Sequence, residues 1–229
     1  MKSPVIVALD YASEQQALSF VDKINPEQCR VKVGKELFTL CGPAIIEKLQ
    51  AKNFEVFLDL KFHDIPTTVA KACKAAADLG VWMLNVHAFG GSAMMKAARE
   101  AVDKSTNKPL LIAVTILTSL SDNELAELGI TGTAEQNVIR LAKLAAAAKL
   151  DGVVCSAKEV SLLANEISSD FILVTPGIRP EGSETGDQKR VVTPKQAMQS
   201  GSHYLVIGRP VTQATDPEKA LDSIISSLG

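Results

Sequence analysis

The stretch Asp59-Leu60-Lys61-Phe62-His63-Asp64 sets two carboxylates around one ammonium, a spacing at which groups of opposite sign can meet. Read as the end of a strand, its period of two puts Phe57, Asp59 and Lys61 on one face and Leu58, Leu60 and Phe62 on the other. The leucine face suits packing against helices. The charged face then looks into the sheet's interior, with Asp64 following in the loop before Pro66. A second segment, Arg30-Val31-Lys32-Val33-Gly34, repeats the theme: Val31 and Val33 share one face and Lys32 takes the other. The run Val5-Ile6-Val7-Ala8-Leu9 likewise delivers Asp10 at its end. Ionisable groups of both signs that converge on one rim must compensate one another, because each buried charge left alone costs several kcal/mol. Asp59 with Lys61 alone would suit a salt bridge that merely closes a barrel. Lys32, Asp64 and Asp10 beside them point instead to chemistry carried by fixed charge.

The elements that position these groups alternate regularly. Apolar, β-rich runs at 5–9, 30–33, 55–60, 83–87, 110–114, 152–155, 171–174 and 204–207 are separated by longer, alanine-rich amphipathic segments. Most of the runs are nearly continuous, as parallel strands buried on both faces should be. Helix starts are marked by Ser13 (with a run to Ile24), Gly42-Pro43, Pro66, Gly91-Ser92, Thr133, Thr193-Pro194 and Asp216-Pro217. Eight units in 229 residues, about 29 each, predict a single (β/α)8 TIM barrel domain over residues 1–229. A doubly wound sheet would carry a glycine-rich turn after its first strand, where this chain has Asp10-Tyr11-Ala12-Ser13.

In such a barrel the reaction face is built from the C-terminal strand ends, where Asp10, Lys32, Asp59 and Lys61 fall. Phosphate sites of this fold class often follow the seventh and eighth strands, and Gly208-Arg209 directly follows the eighth. Glycine lets the backbone approach a dianion, and arginine offers a planar fork of donors; by itself the pair would also suit an ordinary turn with a solvated arginine. The long connection 175–192 has no periodicity, and loops of that length in a compact domain are usually functional.

Composition narrows the partners. The 24 basic and 26 acidic residues are mixed along the chain and leave a net charge of −2, which argues against nucleic acid or a membrane surface. No apolar run approaches the roughly 20 residues of a membrane helix. The N-terminus enters the first strand at once, without a signal-type apolar region, so a cytoplasmic protein is expected. Cys29, Cys41, Cys73 and Cys155 lie far apart with no CxxC pair, and read as reduced packing residues.

The sequence DLKFHDIPTT at 59–68 resembles the DxKxxD signature of the orotidine monophosphate decarboxylase superfamily. Its flanks narrow the match: ALDY at 8–11, KVGKELF at 32–38, NVHA at 85–88, TPGIRP at 175–180, GDQKR at 186–190 and VIGRPVT at 206–212 are similar to the bacterial decarboxylase family, in that family's order. The resemblance implies loss of CO2 from C6 of orotidine 5′-monophosphate to give uridine 5′-monophosphate, with no metal and no organic cofactor. It implies that Lys61 stabilises and protonates C6 and that Asp59 sits against the departing carboxylate. Lys32 and Asp64 would complete a Lys-Asp-Lys-Asp network, with Lys32 also touching ribose. Asp10 would hold ribose hydroxyls, and Asp64 and Thr68 would reach across a homodimer interface into the neighbouring site. Gly208, Arg209 and Gln188 would grip the 5′-phosphate with Arg179 nearby, under a lid hinged on Gly182 and Gly186. For the pyrimidine edge the family has a hydroxyl at the end of the fifth strand; Thr118 aligns best, with Ser119 the alternative.

Related chemistries on the same scaffold are the nearest rivals. Metal-dependent decarboxylases or aldolases of sugar phosphates share DxKxxD but carry a metal-binding glutamate where this chain has Lys32, whose charge would repel Mg2+. A pentose-phosphate epimerase would want histidine and aspartate metal ligands on several strands, which are lacking here. A catalytically inactive barrel acting as a binding module is opposed by the intact charged set. His63 lies beside Asp59 and Asp64, yet period two turns it away from Asp59, so no metal is expected there; His87 is expected to be a hydrogen-bonded rim residue. Trp82, Met83, Met94 and Met95 read as packing.

Overall fold

The computed structural model describes residues 3–180 and 192–228. Its strands are β1 (Val5–Ala8), β2 (Arg30–Gly34), β3 (Val56–Phe62), β4 (Met83–His87), β5 (Leu110–Val114), β6 (Gly152–Val154), β7 (Ile172–Thr175) and β8 (Tyr204–Ile207). All pair in parallel with their sequence neighbours, and β8 pairs with β1, so the barrel closes and no sheet edge is left open. The helices are α1 (Glu14–Val21), α2 (Lys35–Cys41), α3 (Ala44–Ala51), α4 (Pro66–Asp78), α5 (Gly91–Asp103), α6 (Asp122–Glu127), α7 (Ala134–Ala147), α8 (Ala157–Glu166), α9 (Pro194–Gln199), α10 (Arg209–Thr212) and α11 (Pro217–Ser226). No described helix is long and apolar enough to cross a membrane.

The expected strands agree with the observed ones to within a residue or two, and β3 runs furthest past its expected end. Helices α2, α6, α8 and α10 are additional to the expected starts. For α6 the signal is present, because Ser121 and Glu124 form a capping box: Ser121 Oγ accepts from Glu124 N–H, and the Glu124 carboxylate accepts from Ser121 N–H at 2.8 Å. Helices α2 and α10 follow β2 and β8 through Gly34 and Gly208, neither of which has a side chain to announce a cap. Helix α1 ends at Val21 rather than Ile24, which packs as a buried residue in the turn that follows.

Alternation divides the apolar residues into two bodies. Val5, Val7, Val31, Val33, Leu58, Leu84 and Val86 point outward into one continuous core beneath the helices. Ile6, Ala8, Phe57, Met83, Ile112, Val174 and Val206 form a smaller cluster that fills the barrel. Cys29, Cys73 and Cys155 are buried, and burial pushes the Cys73 thiol up to about 12, as befits a packing residue. Below the inner cluster, the Arg30 guanidinium lies 4.3 Å from the Trp82 ring centroid and 5.3 Å from that of Tyr204. Its Nε pairs with Glu55 at 2.8 Å and its Nη1 donates to the Ser3 carbonyl at 3.1 Å. Above the inner cluster sits the second charged group.

Candidate active site

Lys32 leaves β2 toward the C-terminal mouth, one residue pair above Arg30. Its Nζ lies 3.3 Å from Asp10 Oδ1 and 3.4 Å from Asp59 Oδ2. Lys61 Nζ donates to the other Asp59 oxygen, Oδ1, at 2.6 Å. Asp59 thus bridges two ammonium groups, and the contacts run Asp10, Lys32, Asp59, Lys61. Lys32 and Asp59 are buried, Lys61 is partly exposed and Asp10 opens to solvent. Burial acts to raise the Asp59 carboxyl, but Lys32, Lys61 and hydrogen bonds from Lys61 and Asn85 outweigh it and hold the group below its ordinary range. It is therefore a carboxylate at neutral pH.

Side chains of β3 keep the expected faces, since Leu60 and Phe62 pack on the outer core while Asp59 and Lys61 meet inside. Plain pleating does not produce this. Between the pairs Leu58–Leu84 and Phe62–Val86, β3 has three residues where β4 has only Asn85. The surplus is taken up at Lys61, whose φ of +54° is left-handed. Asn53 and Lys149 share that conformation, but both follow helix ends, where it is common; Lys61 adopts it inside a strand. A non-glycine residue held this way costs on the order of 1 kcal/mol and persists only where its surroundings fix it. Bulges of this kind occur at barrel rims beside active sites, where they re-aim a side chain.

Two cavities meet at the charged group, and Lys32, Asp59 and Lys61 line both. One, of about 160 Å3, opens toward Asp10, Gly34 and Lys35. A Cβ on Gly34 would stand 3.2 Å from Lys32 Nζ, so glycine keeps that approach clear. The other, of about 190 Å3, is more apolar and is walled by Phe57, Ile116, Thr118, Val154 and Val206. Thr118 lines it, whereas Ser119 is exposed and does not. A larger cavity of about 890 Å3 lies between α9 and α11, but it gathers no cluster of ionisable groups and neither Asp59 nor Lys61 lines it.

Across the mouth, Gly208 comes close to Asp10: a Cβ there would lie 3.7 Å from Asp10 Oδ2. Arg209 follows as the exposed first residue of α10. Arg179 is buried, and both burial and the charge of Arg209 lower its affinity for its proton, which places the two guanidinium groups in one neighbourhood. The long connection is drawn together at its base, where Ile178 bridges Val192 and Arg179 N–H donates to the Val192 carbonyl at 3.1 Å. Gln188, Gly182 and Gly186 lie outside the described residues.

A model of the orotidine 5′-phosphate decarboxylase / HUMPS family matches residues 3–224. The chain belongs to that family. An orotidine 5′-phosphate decarboxylase from Sodalis glossinidius is 60% identical over 227 residues, covering 99% of this chain and 90% of that protein. One from Hydrogenovibrio crunogenus is 59% identical over 225 residues, with coverages of 98% and 95%. The crystal structure of orotidine 5′-phosphate decarboxylase from Lactobacillus acidophilus matches with a TM-score of 0.89 and 41% identity over 100% of both chains.

Two predicted residues of this family member stand apart from the cluster in the single chain. Asp64 and Thr68 are exposed, Asp64 Oδ1 accepts from Ile65 N–H at 2.6 Å, and Asp64 forms no ion pair among the described residues. The expectation for His87 is corrected: its Nδ1 is buried without a hydrogen-bond partner, and the ring stacks on His63 at 5.5 Å and lies tilted against Phe89 at 5.5 Å. Burial, with the charges of His63, Lys35 and Lys61, lowers it to about 4, so it is neutral at pH 7. Among the described residues no group of three His, Cys, Asp or Glu could hold a metal ion. Asn85 was not singled out from the sequence, yet it is fully buried and bonded to both Asp59 and Lys61. An amide at an inward position, flanked by Met83, Leu84 and Val86, is the signal that marks it.

Proposed function

We infer that the chain decarboxylates orotidine 5′-monophosphate to uridine 5′-monophosphate, the last step of pyrimidine nucleotide synthesis, without a metal or organic cofactor. One observation carries the reading: a buried carboxylate bridges two lysines where two cavities meet. Family membership and relatives of that name along nearly the whole chain support it.

Breaking the C6–carboxylate bond releases CO2 and leaves the electron pair on C6, in a ring that cannot pass it to an adjacent carbonyl. A cation already fixed beside C6 is the help available, and fixed charge of this kind is worth about 10²- to 10³-fold per donor removed. Lys61 supplies it and then gives C6 its proton; the resulting amine recovers a proton from solvent. Asp59, kept ionised by Lys32 and Lys61, faces the substrate carboxylate, and like charges disfavour the bound ground state more than the transition state, where that charge is leaving. The more apolar cavity takes the pyrimidine, with Thr118 at its amide edge, and the cavity toward Asp10 and Lys32 takes the ribose. Gly208, Arg209 and Gln188 receive the phosphate, with Arg179 beside them. A metal at this place would face the positive charge of Lys32, which favours the metal-free chemistry over its metal-dependent relatives.

Asp64 and Thr68 serve the neighbouring subunit's site in a homodimer. Supporting this, both belong to one exposed stretch, 64–68, that enters α4 and includes Ile65, an isoleucine 64% exposed and suited to burial against a second copy. Mixing Lys61→Ala and Asp64→Ala chains, each inactive alone, should restore turnover through hybrid sites; no recovery under subunit exchange would overturn the shared site. The activity itself is tested by following loss of orotidine 5′-monophosphate absorbance with and without EDTA. Equal turnover is expected, and absence of turnover, or its loss with EDTA, would overturn the reading.

A further inference from the structure

The break in the β3–β4 ladder is spanned by a single side chain. Asn85 is 0% exposed, and both ends of its amide are used. Its Oδ1 accepts from the backbone N–H of Lys61 at 2.7 Å, and its Nδ2 donates to Asp59 Oδ1 at 2.7 Å. That same Asp59 oxygen receives Lys61 Nζ at 2.6 Å. The three bonds close a ring through the Asn85 amide, the Asp59 carboxylate and both the backbone and the ammonium of Lys61.

From this closed ring we propose that Asn85 is the positioning residue that sets the Asp59–Lys61 pair for the reaction, by clamping the left-handed Lys61 backbone to the Asp59 carboxylate. Three β3 residues face Asn85 alone, so the Lys61 N–H has lost its regular ladder partner and the amide oxygen replaces it. Strand alternation puts Asn85 on the same inward face as Met83, beneath the charged group and away from both cavity linings. It lines neither of these two cavities, so its action runs through Asp59 and Lys61. An amide is the neutral group that accepts from the backbone and donates to the carboxylate at once. A carboxylate there would repel Asp59, and an apolar side chain would leave a buried N–H unpartnered.

The inference rests on the decarboxylase reading for its kinetic consequence but not for its geometry, and the experiment separates the two. Purified wild type, Asn85→Val and Asn85→Asp are assayed for orotidine 5′-monophosphate turnover across pH, and Asp59 is titrated in each by carboxyl 13C NMR. Asn85→Val is expected to lower kcat at least tenfold while KM changes less than threefold, and to raise the Asp59 titration midpoint. Asn85→Asp is expected to be poor at neutral pH and to recover toward wild type on acidification, as the introduced carboxyl takes a proton shared with Asp59 and regains its donor. A residue that only supports the fold would lower thermal stability without that pH-dependent recovery. Should Asn85→Val not fold, Asn85→Asp and Asn85→Thr decide the point. Folded variants with wild-type kcat and an unmoved Asp59 midpoint would overturn the proposal. A wild type without turnover would sink the decarboxylase reading alone, and the Asp59 midpoints would still decide the role of Asn85.

Discussion

Two charged groups stand at opposite ends of one barrel, and β2 contributes to both. At the N-terminal end Arg30 is held by Trp82 and Tyr204, pairs with Glu55 and donates to the Ser3 carbonyl. At the C-terminal end Lys32, on the same strand face, enters a chain of alternating charge that lines two cavities. The lower charge is stacked on aromatic faces and built into the floor. The upper charges are compensated by one another, and space is left beside them. Cations in a barrel interior are thus not in themselves a mark of chemistry. What separates the two ends is whether the surroundings consume the charge or leave it facing a cavity.

That contrast can be broken by substitution. The largest effect is expected for Lys61→Ala, which should lower kcat/KM by about 10³-fold or more while moving the thermal midpoint by only a few degrees. Equal loss of stability and activity would make the upper group structural like the lower. Lys32→Ala should cost about 10²-fold in kcat/KM. It should also raise the Asp59 titration midpoint, because one of its two cations is gone. In the native chain Asp59 is held below its ordinary value, so its contribution to stability is complete above that value and declines as pH falls from there through the lower folded one. An acid limb below the ordinary carboxylate range should therefore shrink in Asp59→Asn, and a limb of unchanged size there would contradict this.

His87, at the upper rim, should produce a slope of its own. Its affinity for a proton drops from an ordinary 6.5 to about 4 on folding, so between those values the unfolded chain binds a proton that the native chain refuses. Stability is complete above pH 6.5 and declines toward pH 4, by about 2 kcal/mol once its partial exposure is allowed for. Denaturant unfolding across that range should show the decline, and His87→Gln should flatten it. The smallest effect belongs to the floor: Arg30→Met should lower stability by about 1–2 kcal/mol, through the lost cation–π and carbonyl contacts, with kcat within twofold of wild type. A large fall in kcat would show that the two ends communicate through β2.

Much of the site was legible because strands alternate and barrel strands end at one face. Lys32 and Asp59 at the mouth, and Gly208-Arg209 across from Asp10, follow from that rule and the run boundaries. Asn85 escaped because its importance comes from a register break, and nothing in the run Met83-Leu84-Asn85-Val86-His87 states how β3 will align beside it. His87 differs from its expectation for a related reason: it meets His63 from the connection after β3, whose course the sequence does not fix, and Phe89 from the 3-10 turn Ala88–Gly90 that follows β4.

Period-two alternation and cap chemistry are local, and so the order of residues is enough for the eight-unit barrel, the inward face of each strand and the charged residues that reach the mouth. The bulge in β3, the left-handed turn at Lys61 and the buried amide that ties it to Asp59 emerge only when the strands pair. Those features depend on the alignment of two strands more than 20 residues apart in the chain, and pairing energy shared along a whole closed sheet sets that alignment.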